Sequence, residues 1–89
     1  MTESRDQIRS AFTAELKLSD EYQEVLLLKQ SVLDEIAAPN IVAQLKYTFT
    51  MPMTDSQINI FKLCYLVEFG WVPDFVTNDS ITIDMVRFL

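Results

Sequence analysis

The 89-residue chain is 49% apolar, with six Phe, three Tyr and one Trp but only one Gly and three Pro, and it carries a net charge of −6. At that length one domain is expected, burying only about 60–65% of its unfolded surface, so a rich core or a partner chain must supply the stability. A lone cysteine, Cys64, and no histidine exclude a disulfide and the usual zinc sites, and the mild acidity argues against direct binding to nucleic acid.

Residues 1–38 form the expected helical part. Ser4 and Gln7 have the spacing of a capping box, and Ile8, Ala11, Phe12 and Leu16 follow at helical intervals. Ser19, followed by Asp20 and Glu21, reads as a second N-cap with acids in the first turn. Tyr22, Val25, Leu26, Val32, Leu33 and Ile36 then make one stripe, and Pro39-Asn40 ends it. The cap at Ser19 favours two helices over residues 4–37, and the continuing stripe permits one. The acids Glu21, Glu24, Asp34 and Glu35 read as a solvated helix face, since their spacing matches no metal loop.

Residues 39–89 form a strand–helix–strand part. From Ile41 to Met51 the pattern has period two, with Ile41, Ala43, Leu45, Tyr47, Phe49 and Met51 on one face. Thr54 and Gln57 form another capping box. The helix they open is apolar through two stripes, 58-61-65-69 and 60-63-64-67, and is expected to be buried on more than one side. Gly70 suits a left-handed stop, with Trp71 folding back on Leu66. Residues 72–80 read as loop and turn. Ile81, Ile83 and Met85 alternate again in a short second strand, which predicts a parallel pair joined by a right-handed crossover. The expected fold class is α+β: an N-terminal helix or helical hairpin followed by strand–helix–strand.

The chemistry searches point away from catalysis. Without histidine the usual general base at neutral pH is missing, and Cys64 sits in the most apolar helix, where burial makes a thiol inert. One glycine cannot build a phosphate loop, and nothing calls for a cofactor or metal. No run of about 18 apolar residues exists, so no membrane span is expected. The charged start lacks an apolar signal core, and with the free thiol it suggests a reducing, cytoplasmic setting, the host cytoplasm if the protein is phage-encoded.

What remains is recognition through apolar surface, and the main expectation is a non-enzymatic adaptor or modulator of a larger complex. The partner is another protein, or a second copy in a homodimer or homo-oligomer. Candidate contact residues are Phe61, Tyr65, Trp71, Phe75, Val76, Met85, Phe88 and Leu89. The alternative is a self-associating structural component, such as a virion or tail part or an assembly chaperone. High Phe and low Gly in so short a chain are typical of phage- or virus-encoded accessory proteins. The terminal Ile83-Asp84-Met85-Val86-Arg87-Phe88-Leu89 resembles the acidic-hydrophobic tails by which T-even phage polymerases and late-transcription coactivators dock on the sliding clamp. That resemblance implies a replication or transcription accessory. Arg87 departs from the pattern, and an ordinary strand explains the same residues.

Overall fold

The computed structural model describes residues 5–88, with side chains from residue 11 onward. The cap expected at Ser4, and the candidate contact Leu89, lie outside the described residues. The element order is α1 (Arg5–Lys17), α2 (Asp20–Ala37), β1 (Gln44–Thr48), α3 (Asp55–Phe69), β2 (Phe75–Val76), β3 (Ser80–Asp84) and a 3-10 turn (Met85–Phe88). The fold is α+β.

Ser19 settles the helix count at two. Its Oγ accepts from the Tyr22 N–H at 3.2 Å, and its backbone N–H bonds the Leu16 carbonyl at 3.0 Å. The side chain therefore opens α2 while the main chain closes α1. The buried stripe of α2 is Tyr22, Val25, Leu28 and Val32, with Ile36 half-buried beside it. This corrects the expected stripe, because Leu26 and Leu33 face outward and Leu28 is fully buried. Ala38, extended before Pro39, stops the helix.

β1 is shorter than the period-two run, but pairing continues past both ends. The Met85 N–H bonds the Ala43 carbonyl and the Phe49 N–H bonds the Asp79 carbonyl, each at 2.9 Å. Thr54 and Gln57 form the reciprocal capping box at the start of α3. At its end Gly70 has φ 88° and donates to the Leu66 carbonyl at 2.8 Å, a conformation that favours glycine.

The sheet has order β1-β3-β2 and both pairs are antiparallel. The expected parallel pair is therefore wrong, for a specific reason. The strand that follows α3 is β2, only two residues long, in a stretch that reads as loop. β2 does run parallel to β1, but as the opposite edge. A tight turn held by the Thr77 hydroxyl, which bonds Asp79 at 2.7 Å and takes the Ser80 N–H at 3.1 Å, sends β3 back between them. β3 thus becomes the central strand, and its Ile81 and Ile83 are fully buried.

Helices α2 and α3 cover one face of this sheet. Between the layers lie Val25, Leu28, Val32, Phe61, Cys64, Tyr65, Ile81, Ile83 and Met85, with Phe49 edge-on to Phe61 at 4.9 Å between ring centroids. A polar clasp joins the helices at their rim: Glu68 of α3 accepts the Tyr22 hydroxyl and pairs with Lys29 at 2.6 Å. The lysine first and the tyrosine second hold the Glu68 carboxyl below the ordinary carboxylate range.

α1 stands apart from this arrangement. Only Leu16, in its last turn, is buried among its described side chains, while Ala11, Phe12, Ala14 and Glu15 are exposed. The molecule measures 53 × 29 × 18 Å, with a radius of gyration of 14.4 Å against about 12 Å for a globule of this length. It exposes 6108 Å², where about 5,400 Å² is ordinary for 10.3 kDa. The excess of roughly 700 Å² approaches the share that one partner contributes to a standard protein–protein interface.

Candidate functional site

An open apolar face lies between α1 and α3. α3 was expected to be buried on more than one side, and its second stripe meets that expectation only in part, with Cys64 buried and Ile60 packed against the core. In the first stripe Phe61 and Tyr65 are fully buried, Phe69 packs against the core and Ile58 is half-buried. On the other side Leu63, Leu66 and Val67 each remain about 40% exposed. They sit at i, i+3 and i+4 and so share one helix face. With Phe12, Thr13 and Leu16 of α1 they line an open groove of about 380 Å³. Apart from the hydroxyl of Thr13 these lining side chains are apolar, so water in the groove has few partners.

Of the eight residues singled out from sequence, the seven that are described separate into three groups. Phe61, Tyr65 and Met85 are core residues, none more than 1% exposed, so they offer no contact surface, and that part of the expectation is corrected. Their size and spacing suit either role, and packing in one shared core cluster decides it. Trp71, Val76 and Phe88 are half-buried and pack against the core. Phe75 alone is largely exposed, at 60%, on the edge strand β2.

Trp71 folds back onto Tyr65 and Phe69, where Leu66 was the expected partner, and Leu66 is left 40% exposed. Its Nε1–H donates to the Tyr65 hydroxyl at 3.1 Å, its ring lies 5.9 Å from Phe69 and 5.3 Å from Phe88, and Arg87 lies over it at 5.6 Å. Phe88 also meets Phe69 edge-on, at 5.9 Å. The C-terminal turn is therefore fastened to its own domain. Arg87, the residue that departs from the clamp-tail pattern, adds to that fastening with an ion pair to Asp74 at 3.6 Å.

Cys64 is fully buried. Burial pushes its thiol up, against the smaller opposing pull of the Ser19 hydroxyl 3.6 Å away, so the thiolate needed for nucleophilic or redox chemistry is suppressed.

Glu24 departs most from expectation. It read as part of a solvated face, yet it is only 9% exposed. Its Oε2 accepts the Tyr47 hydroxyl at 2.5 Å, the Thr50 N–H at 3.2 Å and the Thr50 hydroxyl at 3.3 Å. These bonds tie α2 to the chain leaving β1 and satisfy a backbone donor at the point where Thr50 quits the sheet. Burial first, and the Glu24 bond second, push the Tyr47 phenol up to about 12.

Phe12, Leu66 and Glu24 were not marked as contact residues. The signal for Leu66 and its neighbours was present in the excess of apolar positions on α3, but the direction in which α1 departs decides which of them stay open.

No family model, curated protein or solved structure matches the chain.

Proposed function

We propose that this domain is a non-enzymatic protein-binding accessory module, and that the α1–α3 groove is its contact surface. The observation that carries the reading is the open apolar face of Leu63, Leu66 and Val67 opposite Phe12. Two helices diverging around such a face make a seat for an amphipathic helix, whose own i, i+3, i+4 residues would fill it. No helix among the described residues is long and apolar enough to cross a membrane, and the buried free thiol of Cys64 suits the cytoplasm, where we place the protein.

A clamp-docking tail is the less favoured reading, because Met85 and Phe88 are engaged within the domain. Leu66→Glu tests the groove. The side chain points away from the core, so the thermal midpoint should move by no more than about 5 °C. Solution mass and capture of interacting chains should both show association lost, because a carboxylate would have to be buried without a partner. A wild-type monomer that captures nothing, or a variant that associates like wild type, would overturn the reading.

A further inference from the structure

Among the described side chains of α1, only the last turn is held by its own domain: Leu16 is buried, while Ala11, Phe12, Ala14 and Glu15 are exposed. A free helix shorter than about 12–15 residues is marginal in water, and α1 has 13. Most helical stability in proteins comes from packing an apolar face, so α1 needs a contact along its length. Its apolar side lines the groove, with Phe12 and Leu16 on one wall and Leu63, Leu66 and Val67 on the other. The chain therefore carries both halves of a helix-in-groove contact. The groove calls for apolar residues at i, i+3 and i+4, and Ile8, Ala11 and Phe12 of α1 have that spacing.

We propose that the groove is filled by α1 of a second copy of this chain, in a two-fold dimer; the proposal rests on the reading of the groove as a contact surface and names its partner. Each copy lays its α1 in the groove of the other, so the contact is reciprocal and closes at two chains. Charge supports this occupant. α1 carries three bases and two acids, a net +1, whereas residues 18–89 carry four bases and ten acids, a net −6. Docking through α1 sets a cationic helix against an acidic body, where body against body would repel. The area is also of the right order for a stable dimer. The chain as a whole exposes 6108 Å², roughly 700 Å² more than is ordinary for 10.3 kDa, and each partner in a standard interface gives up about 800 Å².

Sedimentation equilibrium with a complementing pair of variants tests the dimer. The wild-type protein should show twice the chain mass of 10.3 kDa, falling towards a single chain on dilution. Phe12 and Val67 lie on opposite walls of the groove, 47% and 39% exposed. Phe12→Asp and Val67→Lys should each keep the core amide spectrum of wild type and sediment as a single chain. Mixed in equal amounts they should regain the dimer, because opposite charges meet in one α1–α3 contact while the other contact stays native. Amide hydrogen exchange along α1 should be slow in wild type and in the mixture, and fast in either variant alone. A single-chain wild type at every concentration, species larger than two chains, dimeric single variants, or a mixture that stays single-chain would overturn the proposal. A single-chain wild type whose groove still crosslinks to a different polypeptide from position 66 overturns the dimer and leaves the groove as a contact surface.

Discussion

Trp71→Ala is expected to lower the thermal midpoint by roughly 12–20 °C, while Phe75→Ala, four residues away, lowers it by less than about 5 °C. From sequence both aromatics flank Pro73 and both are candidate contacts. In the fold Trp71 is the centre of a ring cluster with Tyr65, Phe69 and Phe88, and its indole supplies the hydrogen bond to a Tyr65 hydroxyl in a fully buried residue. Removing it opens a cavity costing about 2–3 kcal/mol and leaves that hydroxyl without its indole partner, for about 1 kcal/mol more. Against a total of about 5–13 kcal/mol for a chain of this length, that is a large fraction. Phe75 is 60% exposed on an edge strand and gives up little. Trp71→Phe separates the two contributions, since it keeps most of the packing and loses only the donor. Its midpoint should lie well above that of the alanine variant in the same calorimetric series. Equal losses for Trp71→Ala and Phe75→Ala would contradict the packing described here.

The second large effect is alkaline unfolding. All three tyrosines of the chain have raised phenol pKa values. Burial is the first cause for each. For Tyr22 the hydrogen bond to Glu68 follows, and for Tyr47 the one to Glu24, and both phenols rise from 10.0 to about 12. A folded pKa above the unfolded one means that the fold binds the proton more tightly. The stability this confers is fully present below pH 10 and is lost as pH climbs from 10 towards 12. For Tyr22, only 4% exposed, the loss is about 2–3 kcal/mol, with a smaller share from the half-buried Tyr47. Tyrosinate absorbance should therefore show no independent phase near pH 10 and should rise steeply together with loss of helical circular dichroism. A tyrosine that titrates near its ordinary value while the helices persist would contradict the buried phenols.

Local features of this protein were legible without the fold because short-range chemistry governs them. Ser19, the Thr54–Gln57 box and Gly70 each satisfy or terminate a helix with groups no more than four residues away, and the residue types alone announce them. The alternation from Leu45 to Phe49 is legible for the same reason. The antiparallel sheet was not, because β2 is two residues long and shows no periodicity, and it is β2 that turns a strand–helix–strand pattern into two parallel edges around an antiparallel centre. Glu24 was misread because the donors that make its burial tolerable, Tyr47 and Thr50, arrive more than twenty residues later in the chain. The groove escaped for a geometric reason. A stripe such as Leu63–Leu66–Val67 looks the same whether or not a neighbouring helix covers it, and the departure of α1 after Leu16 is a property of packing.

Site-specific photo-crosslinking addresses the binding role most directly. A benzophenone side chain would be placed at position 66 in the groove and, separately, at the exposed Asp34 on α2, and irradiated in cells that express the protein. The expectation is a discrete covalent adduct between position 66 and another polypeptide, whether a different protein or a second copy of the chain, and none from position 34. An absence of adduct at position 66, or the same adducts from both positions, would contradict it.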